Sequence, residues 1–172
     1  MQPFRIPGPL SRFAGGPLLA ALVMGFALAA ATGVQAEPSV MDAVTAHRKA
    51  GTGEITLVDI RTPAEWRETG VPASAHTVTL DQQPKALLGK LDALLGGDKS
   101  RPLALICRTG NRSSMLASEL RKVGYTNVID VAEGIAGGRN GQGWSKAGLP
   151  LRKGADIANP PVVAPAVTDN RQ

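Results

Sequence analysis

One cysteine, Cys107, occurs in the 172 residues, and it stands in the stretch LICRTGNRSS. An apolar run precedes it. Arg108, Thr109, Gly110, Asn111, Arg112 and the pair Ser113 and Ser114 follow. A thiol that only fills space needs none of these neighbours. Cysteine attacks as the thiolate, a form favoured beside cations and at a helix N-terminus. Residues 103–106 read as a central strand buried on both faces. The spacing of Leu116, Leu120 and Val123 predicts a helix over residues 113–123, with Ser113 and Ser114 as its caps and Gly124 behind it. Cys107 therefore falls between the carboxyl end of a strand and the start of a helix, where open α/β sheets build their sites. First-turn amides there have no intrahelical partner and carry the positive end of the dipole. Arg108 and Arg112 add permanent charge, and Gly110 lets the backbone turn without a Cβ in the way. A loop of this kind curled around the sulfur is an anion-binding nest, suited to a thiolate or to an anion bonded to it.

Other reactive side chains read as structural. Asp59 and Arg61 are expected to support strand ends near the loop. His47 and His76 have no ligand partners at metal-binding spacing, and a solvated or satisfied imidazole is expected at each. Trp66 and Trp144 are expected in the core. A single cysteine excludes a thiolate cluster, so no metal and no cofactor is expected. The net charge of +5 suits a small anionic substrate, and 3% aromatic residues leave little for base stacking, so nucleic acid is not expected as a partner.

The elements that must position Cys107 alternate along the chain. A helix is expected over residues 40–50, capped by Ser39, and a strand over 54–60. Thr62, Pro63 and Glu65 form a strong helix start with a capping box. A short strand follows at 75–80. Leu87, Leu88, Leu91, Leu94 and Leu95 mark one face of a helix that stops at Gly96 and Gly97. A last strand covers 127–131. This alternation predicts an α/β fold with a mainly parallel central sheet flanked by helices on both faces.

Residues 1–36 read as a signal segment. Arg5 and Arg12 precede the apolar run 18–31, and Val34-Gln35-Ala36 provides a cleavage site before Glu37. The run is short for a membrane span, which needs about 20 residues; a retained anchor is the alternative. With only Arg5 and Arg12 lost, the charge falls from +5 to +3. The mature chain is expected in the periplasm or secreted, without stable membrane association. Residues 37–153 then form one domain, and 154–172, rich in Pro, Ala and Val, a disordered tail. In an oxidising compartment an unpaired cysteine points to intermolecular pairing or a reactive thiol.

Three stretches resemble the rhodanese family of sulfurtransferases. They are Leu57-Val58-Asp59-Ile60-Arg61-Thr62-Pro63-Ala64-Glu65-Trp66, the loop Cys107-Arg108-Thr109-Gly110-Asn111-Arg112-Ser113, and Glu133-Gly134-Ile135-Ala136-Gly137-Gly138 with Trp144 and Ala147-Gly148-Leu149-Pro150. The resemblance implies a rhodanese-like fold and a Cys107 persulfide. Sulfane sulfur would come from a small anionic donor such as thiosulfate and pass to a thiophilic acceptor, with a protein sulfur acceptor or reductant as an alternative partner. It also implies that the amides of residues 108–113 cradle the persulfide and that Arg108 and Arg112 orient the donor. The chain departs from the family between Gly138 and Trp144, where Arg139-Asn140-Gly141-Gln142-Gly143 is two residues longer than the common spacing, so a reshaped pocket rim is expected. The rival readings are a non-enzymatic persulfide carrier and a cysteine phosphatase or arsenate reductase. Phosphatase loops run C-x5-R, whereas Cys107 to Arg112 is C-x4-R.

Overall fold

The computed structural model describes residues 39–80 and 83–157. In chain order the first half holds β1 (Ser39–Met41), α1 (Ala43–Gly51), β2 (Thr56–Asp59), α2 (Pro63–Thr69), β3 (Val71–Pro72) and β4 (His76–Thr77). The second half holds α3 (Pro84–Leu95), β5 (Leu103–Ile106), α4 (Asn111–Lys122), β6 (Val128–Val131), α5 (Gly143–Lys146) and β7 (Leu151–Arg152). The main sheet runs β1-β6-β5-β2-β4, with every pair parallel. β3 and β7 pair separately and antiparallel.

All four residues of β5 are buried, as the unbroken apolar run predicts for a strand covered on both faces. Strand alternation sorts their side chains into two cores. Ala104 and Ile106 pack with Ala43, Ala46 and Ala50 of α1, Trp66 of α2 and Trp144. Leu103 and Leu105 pack with Leu87, Leu91 and Leu95 of α3 and with Leu116, Ala117 and Leu120 of α4. Each large aliphatic side chain so buried contributes roughly 2 kcal/mol. The expected α/β architecture, with helices on both faces of a mainly parallel sheet, is what forms.

Two boundaries differ from the expectation. Residues 39–41 do not open a helix; they pair in parallel with β6, Ser39 against Ile129 and Met41 against Val131. Asp42 caps α1 instead, its carboxylate accepting from Thr45 N at 2.8 Å. α4 starts at Asn111, two residues before the predicted start, with Gly110 in the N-cap position at φ 91°. Ser113 and Ser114 thus lie inside the first turn and do not cap it. α2 keeps its predicted capping box: Glu65 N donates to Thr62 Oγ1 at 3.3 Å and Thr62 N donates to Glu65 Oε2 at 3.0 Å. Of the strand expected at 75–80, only His76–Thr77 is regular. The signal segment expected at 1–36 lies outside the described residues, as do 158–172. Gly154–Ile157 forms a 3-10 turn, and Ile157 packs against the core that holds Trp144.

Candidate active site

The loop between β5 and α4 is held by the chain that follows β6. Ile135 N donates to Cys107 O and Ala136 N to Arg108 O, both at 2.9 Å. Drawing these carbonyls to one side leaves the amides of residues 108–113 without an acceptor among the described residues. Ser114 N is the first to close a helical bond, to Gly110 O at 3.0 Å. The positive φ of Gly110 makes this curl, and a Cβ there would strike the carbonyl of Ala132. Gly134 plays the matching part on the other chain: at φ 65°, a Cβ would come within 2.6 Å of the Arg108 carbonyl. Two backbone segments thus meet with no room for side chains between them.

Cys107 is free of any disulfide and only 1% exposed. Its Sγ lies 3.5 Å from Ser113 Oγ, which itself donates to Gly110 O at 3.0 Å. Arg112, one turn into the loop's reach, forms a two-pronged pair with Glu65, Nη1 to Oε2 at 2.9 Å and Nη2 to Oε1 at 2.6 Å. The Glu65 carboxyl is held down to about 2, first by Arg112 and then, against its partial burial, by the Thr62 amide. Arg112 is pushed up in turn, chiefly by Glu65 and also by the Cys107 sulfur. Glu65 therefore does two jobs: it closes the capping box of α2 and fixes the cation that borders the thiol. Arg108 and Thr109 point into solvent, as does Asn111.

Asp59 and Arg61, expected to support strand ends, form a buried ion pair at the end of β2. Arg61 is buried, and its Nε and Nη2 meet both oxygens of Asp59, Nη2 to Oδ2 at 2.6 Å. The same guanidinium donates to Thr69 Oγ1 and to Gly70 O, each at 2.6 Å. This staples the C-terminal end of α2 to the end of β2. Asp59 pairs with Ile106, the residue before Cys107. Removing one partner of such a buried pair costs about 3–5 kcal/mol.

Beside the loop opens a polar cleft of about 460 Å³, lined by Thr109, Asn111, Gly138, Arg139 and Asn140. Two of these five, Arg139 and Asn140, belong to the segment where the sequence expects a reshaped rim, and Gly138 borders it. Gly138 N donates to Gly141 O at 2.8 Å, closing a tight hairpin. Asn140 Nδ2 donates to Ala132 O at 3.1 Å, and Gly143 N to Glu133 Oε2 at 3.2 Å, so the hairpin is tied to the turn after β6 that clamps the loop. Sequence reasoning did not find Glu65 as the partner of Arg112 or the backbone clamp of Gly134 to Ala136. The capping-box reading of Glu65 was the one signal that reached any of them.

A family model described as the Rhodanese-like domain matches residues 42–140, more than half of the chain. A curated protein named Sulfurtransferase, from Allochromatium vinosum, is 31% identical over 105 residues, covering 61% of this chain and 85% of its own. The uncharacterized protein RP600 of Rickettsia prowazekii is 28% identical over 104 residues, covering 55% and 80%. Among solved structures, Rv0390 from M. tuberculosis superposes with a TM-score of 0.53 at 29% identity, over 69% of this chain and all of that one. The polysulfide-sulfur transferase homodimer from Wolinella succinogenes gives a TM-score of 0.51 at 23% identity, over 70% and 82%, a likeness of fold.

Proposed function

The chain belongs to the rhodanese-like family, which includes sulfurtransferases, and from that premise we propose that it transfers sulfane sulfur through a persulfide on Cys107. The observation that carries this reading is a nearly closed thiol at the start of a loop whose amides, residues 108–113, have no acceptor among the described residues. In the first step the Cys107 thiolate attacks the outer sulfur of an anionic donor such as thiosulfate. A sulfur–sulfur bond forms to Cys107, the donor's sulfur–sulfur bond breaks, and sulfite leaves with the electron pair. In the second step a thiophilic acceptor such as cyanide, sulfite or a thiol attacks the outer sulfur, and the thiolate departs with its electrons. Each displacement places negative charge on sulfur beside donors already in position, so little reorganisation is needed.

The roles divide by geometry. Arg112, fixed by Glu65, keeps a cation beside Cys107. Arg108, exposed at the loop, meets the donor, and Thr109 and Asn111 face the cleft. Ser113 bounds the sulfur from α4. A thiol that is 1% exposed suits attack on a single terminal sulfur better than on a tetrahedral oxyanion, which also disfavours phosphatase chemistry. The reading includes a periplasmic or secreted location, supported by the order of charge, apolar run and small residues in 1–36.

Intact mass spectrometry tests the transfer. Incubation with thiosulfate is expected to add one sulfur atom to the protein, cyanide to remove it, and Cys107→Ser to abolish the gain. No adduct with thiosulfate, polysulfide or any other sulfane donor would end this reading.

A further inference from the structure

The chain between the loop clamp and α5 makes an excursion whose two ends are fixed. At one end Ile135 N and Ala136 N donate to the carbonyls of Cys107 and Arg108. At the other, Trp144 is fully buried and its amide donates to Gly134 O at 2.9 Å. Between them, residues 137–143 hold four glycines with Arg139, Asn140 and Gln142, and no apolar side chain. Such a segment has no core of its own, and its glycines lose more freedom on ordering than other residues do. What it closes on is a carboxylate. Gly143 N donates to Glu133 Oε2 at 3.2 Å, and a Cβ on Gly141 would strike Glu133 Oε1. Among the described residues, no other side chain from outside 137–143 makes a hydrogen bond to this segment.

The excursion carries one cation to the cleft. Arg139 lines it together with Thr109 and Asn111 of the Cys107 loop. Arg112 is held in place by Glu65, whereas Arg139 has no ion-pair partner among the described residues. The backbone beneath Arg139 therefore sets where its charge lies. We propose that Glu133 is a positioning residue for donor recognition: its carboxylate is the peg on which the hairpin closes, and the closed hairpin holds Arg139 at the cleft to meet the anionic end of a sulfur donor. The inference rests on the reading of the protein as a transferase that takes sulfur from such a donor, and it adds no covalent step. The sign of the effect separates a peg from a charge. Glu133 is negative, so if it acted through its charge alone it would oppose an anion, and any neutral replacement would tighten binding. A peg acts the other way. A replacement that loses the contact frees the hairpin and weakens binding, and one that keeps the contact does not.

The test reads binding apart from transfer. Thiosulfate is titrated into the whole protein carrying Cys107→Ser, and the amide signals of Thr109, Asn111 and Asn140 are followed by NMR. Arg139→Ala is expected to raise the dissociation constant about threefold, the scale of one exposed charge contact. Glu133→Ala is expected to raise it by the same factor, and to add nothing when Arg139→Ala is the background. Glu133→Gln keeps an acceptor for Gly143 N, and its constant is expected to stay or to fall. Gly141→Ala breaks the same contact from the hairpin side, is expected to match Glu133→Ala, and serves if that variant does not fold. Binding to Glu133→Ala as tight as before or tighter would overturn the proposal. So would a loss in Glu133→Gln as large as in Glu133→Ala, a full loss in the Arg139→Ala background, or no binding of thiosulfate in the first place. Persulfide loading of the protein with Cys107 intact is read alongside by mass. Loading with a constant that Glu133→Ala leaves unmoved keeps the transfer and rejects this inference. The expected pattern of binding without loading supports this inference and rejects the transfer.

Discussion

At the scale of single residues, the site is an exercise in placing positive charge without letting it collapse onto the sulfur. Arg112 alone would be free to fold over the thiolate and block it. Glu65, 47 residues away in the chain, holds the guanidinium with both oxygens and leaves its charge near Cys107. The pair has a pH signature. The Glu65 carboxyl is lowered from 4.5 to about 2, so the stability it contributes is complete above pH 4.5 and is lost as pH falls toward 2. The melting temperature of Glu65→Gln is therefore expected below that of the unsubstituted protein at neutral pH, with the gap closing as pH drops from 4.5 to 2. A gap that stays constant over that window would show that the loss comes from packing or capping and not from the ion pair. At this scale Cys107 and its loop were legible in the sequence because every signal lies within a few residues: cations, glycine, strand end and helix start. Glu65 was not, because it reaches the loop from α2, and no local pattern marks a contact made between distant elements.

Elements decide which of those residues meet. The capping box of α2 was legible because Thr62, Pro63 and Glu65 satisfy one another within a single turn. The start of α4 was not. Two serines look like caps, yet Gly110 takes the cap position because the Ala132 carbonyl of a distant segment leaves no space for a Cβ. β1 was missed for the same kind of reason. Residues 39–41 continue an apparent helical spacing, but the edge of β6 offers them a ladder that the sequence does not reveal. The hairpin closed by Gly138 and Gly141 is the element most particular to this chain. It brings Arg139 to the cleft beside Thr109 and Asn111. Arg139 is exposed and has no ion-pair partner among the described residues. Arg139→Glu is expected to raise KM for thiosulfate roughly fivefold, the factor that about 1 kcal/mol of charge interaction at a solvent-facing site provides. The melting temperature and the maximal persulfidation rate are expected to stay as they were. Unchanged KM would remove the hairpin from donor recognition and leave it as a tie to Glu133 and Ala132.

The whole domain places the Cys107 sulfur where both of its cores converge on the end of the central strand. Ile106 faces the core of α1, Trp66 and Trp144, and Cys107 is buried with the residues of α3 and α4. Burial to 1% exposure matters most in the compartment proposed for this protein. A thiol with no second cysteine in the chain cannot form a protective internal disulfide, and peroxide would carry it through sulfenic to irreversible sulfonic acid. The fold offers protection of a different kind, because at 1% exposure Sγ meets an oxidant only when the surrounding chain opens. The folded protein exposed to dilute hydrogen peroxide is therefore expected to oxidise at Cys107 at least about tenfold more slowly than the same chain in urea, since reactivity follows access as well as thiolate content. Loading the persulfide first should leave the thiol recoverable by a reductant. Mass spectrometry of the Cys107 peptide reads both outcomes. Equal rates in the folded and unfolded chains, or sulfonate on Cys107 in protein taken fresh from the periplasm, would mean that the domain does not shelter its nucleophile and that a separate reductant must keep it in use.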